Sequence, residues 1–561
     1  MAFTPWYKEM SVYQIWPRSF CDGNGDGIGD LWGVLSKLDY IKSLGVDAIW
    51  FSPLYPSPNA DYGYDISDYM DIHPDYGTLE LFKQVLDEAH SRGLKVFMDL
   101  VVNHTSDQHP WFKASRSSKA SPYRDYYHWK PGRVQGRKLL PPNNWTSLFE
   151  GGAWEYDKRT DEFYLHLFAK KQPDLNMDNP AVREEVKKIL RFWLDMGVDG
   201  FREDVITFIA KDPAMPNSYP AIPMANGIRY YTNLPAVHQY LKEFKEDVFD
   251  HYDCFVVGES PLTDADVALR YVSEGEDKVL DEMIAFSHME ADCFMTDVLR
   301  RPFDLVKMKK AFSQWQYKLA GRGWNALYIE NHDHPRVLSR YGSERYREES
   351  GKMRAAMYIL QRGTPFIYQG QEIGMSNNPL PELWMYKDVM SHNNARMLSK
   401  FLPKKKVLQI IQQSSRENSR TPVQWSDARN AGFSTAEPWF PINDNYHHVN
   451  VAAQEDEEAS LLNFYRKLLR FRKENPIVLY GEYIEHMPED KNFYVYERRY
   501  EGKRLLVICS FTAQQIRFNA PAHIDLEHWH LELSNYDYCF AIGNGFTIRP
   551  YELRVYSMDI N

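Results

Sequence analysis

From Ser11 to about Tyr368, short β-branched or apolar runs alternate with longer segments whose apolar residues recur at helical spacing. Val12–Ile15, Ala48–Phe51, Val96–Val101, Gly200–Arg202, Phe255–Gly258, Leu327–Ile329 and Phe366–Tyr368 are apolar without strict alternation, as strands of a parallel sheet buried on both faces are. Between them, Leu81–Arg92 and Ala181–Met196 carry a helical apolar stripe. Regular β–α alternation over this length predicts an α/β fold, a closed (β/α)8 TIM barrel. A doubly wound open sheet is the rival, but no glycine-rich phosphate turn follows the first strand.

Three stretches break the pattern. Residues 103–174 are rich in Pro, Trp and Tyr and too long for a βα loop, which predicts a subdomain inserted after the third strand. Residues 376–450 read as irregular, packed over the same barrel face. After an expected helix at Leu461–Glu474, residues 481–561 switch to strand-like alternation in Phe493–Tyr496, Leu505–Cys509 and Leu553–Tyr556. The predicted organisation is therefore a barrel from 1–102 and 175–480, an insert at 103–174, and a C-terminal antiparallel β-sandwich at 481–561.

The chain has 561 residues, 25% charged, with a formal net charge of −11. The acidic balance offers nothing to phosphate backbones, and the one basic block, Lys404-Lys405-Lys406, sits in a loop-like stretch, so nucleic acid is not an expected partner. There is no long apolar run, and Met1–Trp6 has neither a basic nor an apolar leader region, so neither membrane insertion nor secretion is expected. Five scattered cysteines, with no CxxC pair, suit a reducing cytoplasm better than a disulfide framework or a zinc site. Aromatic residues make up 15% of the chain, and rings with polar tips are useful against sugar faces.

Function in a barrel sits where strands end, and here the strand ends carry carboxylates: Asp99, Asp204 with Arg202, Glu259, and Asp333 beside His332. One such residue reads as a surface acid; several at successive strand ends do not.

Asp99-Leu100-Val101-Val102-Asn103-His104, Gly200-Phe201-Arg202-Glu203-Asp204, Val257-Gly258-Glu259 and Asn331-His332-Asp333-His334-Pro335-Arg336 resemble, in order, the four signature regions of the α-amylase superfamily, glycoside hydrolase family 13. Gln172-Pro173-Asp174-Leu175-Asn176, Tyr368–Met375 and Arg420–Trp425 are similar to its oligo-1,6-glucosidase and α-glucosidase branch. The resemblance runs through essentially the whole chain. It implies Asp204 as nucleophile, Glu259 as acid/base and Asp333 as third carboxylate, with Arg202 keeping Asp204 ionised. Asp61, Tyr64, His104, His332, Arg336 and Arg420 are implied as sugar-binding groups that close a pocket around a non-reducing glucose, with Phe149 and Phe168 as walls. Val205 implies α-1,6 preference, since Thr at that position goes with α-1,4 substrates in this branch. The activity implied is exo-hydrolysis of short α-1,6-linked gluco-oligosaccharides such as isomaltose and panose. The alternatives are an α-1,4-preferring glucosidase, a transglucosylating or sucrose-isomerising relative, and a catalytically dead interaction protein like the transporter heavy chains of the superfamily. The last is disfavoured because all three carboxylates are present.

A separate run, Asp22-Gly23-Asn24-Gly25-Asp26-Gly27-Ile28-Gly29-Asp30, puts oxygen donors on alternate residues, as a hard cation requires. The branch implies structural Ca2+ on Asp22, Asn24, Asp26, Ile28 and Asp30, and no organic cofactor; a metal-free Asx-rich turn is the alternative. Beyond the sugar no partner is expected, the chain being a monomer or weak homo-oligomer. Two departures stand out. Glu203 is acidic where the family is apolar and faces the helix layer, where a carboxylate needs a partner. Residues 292–302 lack the Lys-Trp pair of many α-1,6-acting relatives and the arginine-rich loop of sucrose isomerases.

Overall fold

The computed structural model describes residues 5–149, 151–221, 225–294, 296–537 and 544–559. Eight parallel strands form the central sheet: β1 (Val12–Ile15), β2 (Ala48–Phe51), β3 (Lys95–Leu100), β4 (Gly200–Glu203), β5 (Phe255–Ser260), β6 (Glu282–Ala285), β7 (Ala326–Leu327) and β8 (Thr364–Tyr368). They pair in the order β6-β5-β4-β3-β2-β1-β8-β7, and β6 lies against β7 to complete a nearly closed barrel. Every residue of β1, β2, β4, β5 and β8 is buried, which is why these strands read as unbroken apolar runs.

The flanking helices start and stop where local chemistry says they should. Thr78 accepts from the Leu81 amide to cap Leu79–Ser91; Asn179 caps Pro180–Met196, which ends at Gly197 with φ 108°. The next strand begins at Gly200 because a Cβ there would meet the Phe255 carbonyl oxygen at 2.0 Å.

Seven of the eight strands were expected. β6 was not, since it is four residues long and opens with Glu282 directly after Asp281, an acidic pair that masks its apolar continuation. Between β3 and the helix at Pro180 lies a three-stranded antiparallel sheet (Trp129–Lys130, Glu162–Leu165, Trp154–Asp157). The stretch 376–450 is less irregular than expected: Val389–Leu398 and Lys404–Ser414 are helices, and the three lysines form a first turn rather than a loop. The tail forms a five-stranded antiparallel sheet, Glu482–His486, Phe493–Tyr500, Lys503–Ser510, Leu553–Asp559 and His530–Ser534 in spatial order, with the ribbon Ile516–Asn519/Gly545–Ile548. Among the described residues no helix is long and apolar enough to cross a membrane, and no disulfide joins the described cysteines. Met1–Thr4 and Cys539, both part of the sequence reading, lie outside the described residues, as does the side chain of Asp297.

β4 shows what alternation does to a charged residue. Arg202 points into the barrel, so Glu203 points out into the strand–helix layer, where it is fully buried and neither carboxylate oxygen has a hydrogen-bonding partner among the described residues. Burial pushes its pKa up from 4.5 to about 8. The fold therefore prefers the neutral acid: its contribution is fully present below 4.5 and is lost as pH rises through 8. Glu203→Leu should narrow the gap in melting temperature between about pH 6 and about pH 9 by several degrees relative to wild type. An equal gap in the two proteins, by calorimetry, would show that the carboxyl finds its compensation elsewhere.

Candidate active site

Parallel register assembles the site. Asp99 on β3 lies opposite Arg202 on β4, and Glu259 stands near the end of β5. The buried guanidinium of Arg202 bonds three carboxylates at once: Asp99 at 2.7 Å, Asp204 at 2.8 Å and Glu259 at 2.6 Å. One cation among three buried acids leaves excess negative charge, which favours the protonated form of an acid among them. Burial and the neighbouring Glu259, Asp99 and Asp333 charges push Asp204 well above its usual range, against the pull of Arg202. Burial likewise raises Asp99, to about 6, although Arg202 pulls it down. The proton belongs to the cluster rather than to a single residue. Glu259 accepts a second bond, at 3.0 Å, from the Val205 amide, and Val205 sits in the left-handed region at φ 36°.

These groups face a cavity of about 570 Å³. Its inner end is closed by ion pairs. Arg416 bridges Asp61 at 2.5 Å, Asp388 at 2.7 Å and Asp333 at 3.2 Å, while Arg420 reaches Asp333 at 2.8 Å and lies over the Trp16 ring at 4.3 Å. Burial opposes charge on Asp333, but His332, Arg416 and Arg420 hold it well below the usual carboxylate range. His332 accepts from Gln14 on Nδ1 at 2.7 Å, so its Nε2 carries the proton and faces Tyr64 Oη at 2.6 Å and Asp333 at 3.1 Å. The Tyr64 hydroxyl in turn donates to Asp99 at 3.1 Å. Burial lowers both His104 and His332 to about 4, so each is neutral near pH 7. His104 packs on Phe168 at 5.0 Å, and Phe168 meets Phe149 edge-on at 5.4 Å.

Asp61, Tyr64, His104, Phe149, Phe168, Asp204, Val205, Glu259 and Asp333 all line this one cavity. Arg202, His332 and Arg420 stand directly behind, bonded to residues that do. Arg336 is a correction: it is fully buried away from the cavity, on Glu330 at 2.7 Å and the Gln369 carbonyl at 2.7 Å, where it supports the β7–β8 side of the barrel. Asp61 pairs with Arg416. Arg416 was missed, although it stands four residues before Arg420, and so was Gln172, whose amide bonds Asp61 at 3.1 Å and His104 at 3.1 Å. Asp174 is held by the fully buried Lys211 at 2.8 Å, which also donates to Asn103 at 2.7 Å and locks the inserted segment onto the end of β3.

The run Asp22–Asp30 lies away from the cavity, in the loop after β1. Asp30 accepts from the Gly23 and Asn24 amides and caps the helix Leu31–Ser36 through Gly33 at 2.7 Å; Asp22 accepts from Gly25 and Gly27; Asp26 accepts from Ile28. All candidate ligand atoms are oxygens and Asn24 and the neighbouring loop surface are open to solvent; Asp30 Oδ1 and Asp22 Oδ2 each already accept two hydrogen bonds, but Asp22 Oδ1, Asp30 Oδ2 and both Asp26 oxygens accept one each, so the set fits a hard divalent cation chemically. The other acid cluster, Glu184, Glu243 and Asp247, surrounds the ammonium of Lys187.

Carboxylates bound to one guanidinium at the C-terminal ends of barrel strands, in a cavity with polar inner walls and aromatic sides, define a (β/α)8-barrel glycoside hydrolase. The family model for the α-amylase catalytic domain matches residues 14–481. The chain belongs to the α-amylase family, glycoside hydrolase family 13. It is 46% identical to the oligo-1,6-glucosidase of Parageobacillus thermoglucosidasius over 99% of each chain. Among solved structures it resembles the trehalose-6-phosphate hydrolase of Bacillus licheniformis (TM-score 0.93, 42% identity, 99% of this chain and 100% of that one). It also resembles an isomaltulose synthase from Erwinia rhapontici NX5 (TM-score 0.94, 37% identity, 100% of both chains).

Proposed function

We propose that the protein is a retaining, exo-acting α-glucosidase that removes glucose from the non-reducing end of short α-1,6-linked gluco-oligosaccharides, isomaltose and panose among them. The observation that carries this reading is a cavity closed at one end by the Asp61–Arg416 and Asp333–Arg420 pairs, with Asp204 and Glu259 held on one arginine just outside that end. A closed end admits one terminal glucose. Sharing a guanidinium keeps the two carboxylates near each other, which suits the roughly 5 Å of a retaining enzyme rather than the wider gap of an inverting one.

In this mechanism Asp204 attacks C1 of the bound glucose while Glu259 protonates the departing oxygen; water then attacks C1, giving its proton to Glu259 and releasing Asp204. Asp333, ionised by His332, Arg416 and Arg420, holds sugar hydroxyls and favours the positive charge of the transition state. His104, His332, Asp61 and Tyr64 orient the glucose, and Phe149 and Phe168 cover its faces. Names of relatives support the linkage: the Parageobacillus thermoglucosidasius protein is an oligo-1,6-glucosidase. The second reading is an α-1,4-preferring glucosidase or a glucosyl-transferring or sucrose-isomerising enzyme; the likeness to an isomaltulose synthase bears on the transfer and isomerising part of it.

We further place a structural Ca2+ in the loop of Asp22, Asn24, Asp26, the Ile28 carbonyl and Asp30, the protein itself in the cytoplasm, and the chain as a monomer or weak homo-oligomer. Its folding units are 1–102 with 175–480, 103–174 and 481–561.

With these roles, Glu259→Gln should abolish turnover of isomaltose yet leave partial activity on aryl glucosides whose phenol departs unaided, whereas Asp204→Asn should lose both. Equal residual rates for the two variants on both substrates would contradict the assignment. Product analysis tests the linkage: isomaltose and panose should be cleaved faster than maltose, and Val205→Thr should move the ratio toward maltose by about tenfold or more. A wild-type preference for maltose would refute the α-1,6 reading. For the loop, Ca2+ should raise the melting temperature by mass action and chelation should lower it, with the initial rate nearly unchanged; an immediate reversible loss of rate without a melting shift is the contrary result.

A further inference from the structure

Buried arginines in this chain are otherwise satisfied. Arg202, Arg336, Arg416 and Arg420 face carboxylates, and Arg472 and Arg498, which have no ion pair, each donate to three backbone carbonyls. Arg354 is the exception. It sits in the helix Arg347–Ile359 and is 3% exposed, yet among the described residues its side chain has no ion pair and no hydrogen bond, and its Nε is sealed from solvent without an acceptor.

The guanidinium lies over two rings beside the C-terminal sheet: Phe511, directly after the strand Lys503–Ser510, at 4.9 Å, and Tyr551, just before the strand Leu553–Asp559, at 5.8 Å. Such rings balance part of the charge but offer no acceptor to the in-plane N–H groups. The ionisable groups that act on it are Tyr551, Cys509 and Tyr341; no carboxylate is among them. Burial pushes its pKa down only to about 10, so it remains a cation near neutral pH.

Arg354 also lines a cavity of about 10 Å³, shared with Glu330, Gln371, Tyr465, Leu461 and Met375. The other polar groups there are engaged. Glu330 accepts from Arg336 and from the Val337 amide, both at 2.7 Å, and the Gln371 amide donates to the Tyr358 and Tyr465 hydroxyls. Arg354 is thus the uncompensated charge on this wall. The space suits about one water-sized particle, which admits a monatomic anion and excludes phosphate or sulfate. Met375 is unbranched and can yield to the small excess of a halide over water.

A cation held in a dry place without hydrogen bonds is costly, and water would supply an acceptor but no charge. We propose that Arg354 binds a monatomic monovalent anion, chloride being the abundant one, which fastens the helix Arg347–Ile359 to the C-terminal sheet. None of the residues around this cavity lines the sugar cavity, so the ion acts on stability and not on turnover. The proposal does not depend on the glucosidase reading.

The test is calorimetry of the whole protein in sodium chloride and in sodium gluconate at equal ionic strength. As chloride rises from about 1 to about 100 mM, wild type should melt about two degrees or more higher, with no such gain in gluconate. Arg354→Met, which keeps the bulk and removes the charge, should lose the chloride-specific gain. Diffraction from wild-type crystals grown in sodium bromide needs no variant: an anomalous peak should stand beside the Arg354 guanidinium. An equal chloride gain in the variant, or no bromide at Arg354, overturns the proposal and leaves the guanidinium served by water. A chloride-dependent rate on isomaltose with an unchanged melting temperature would also overturn it, by placing the ion in the sugar site.

Discussion

One buried arginine governs the active site. Arg202 is 1% exposed and can be charged there only because three carboxylates face it, and those carboxylates can share a small space only because the guanidinium stands between them. Asp99, Arg202 and Glu259 come from β3, β4 and β5, so the clamp depends on parallel register: a one-residue slip of β4 would turn Arg202 into the helix layer and bring Glu203 inward. The same imbalance of charge has a chemical use. With more carboxylate than guanidinium in a dry place, the cluster favours a retained proton, which is the condition for an acid and a nucleophile to coexist.

The inner wall extends this logic. Arg416 and Arg420 are again buried cations among acids, Asp61, Asp333 and Asp388, but here two cations serve three acids: Asp333 and Asp388 are held below their usual range, while burial raises Asp61 against the pull of Arg416. The contrast separates function by charge count. Where one cation faces three acids a retained proton is favoured; where two cations do, Asp333 and Asp388 stay ionised, and Asp333 can favour positive charge developing on a sugar.

The barrel and its reacting groups were legible because both obey short-range rules: buried strands are continuous apolar runs, and Asp204, Glu259 and Asp333 follow such runs directly. β6 escaped because its first side chain, Glu282, is an acid made tolerable by a bond from the Thr364 hydroxyl, 82 residues away. Lys404-Lys405-Lys406 looked like a loop because three exposed cations hide a helix whose apolar stripe starts only at Val407. Arg416 escaped for a different reason. Its partner Asp61 is 355 residues distant, and of two arginines one turn apart, nothing local says which reaches it. Arg336 shows the converse: a residue inside a functional motif can serve the scaffold.

The most constrained backbone in the site is that of Val205. A β-branched residue at φ 36° is an outlier, costing roughly 1–3 kcal/mol. That turn lies just past the end of β4, directly after Asp204, and sends the Val205 amide to Glu259 rather than into a ladder. The side chain is thereby placed on the open wall of the cavity, beside the nucleophile. A single strained residue thus connects the acid/base, the nucleophile and the surface that meets the leaving group. Changes at 205 should therefore not be read as side-chain effects alone, because any residue that relaxes the turn also releases the bond that aims Glu259.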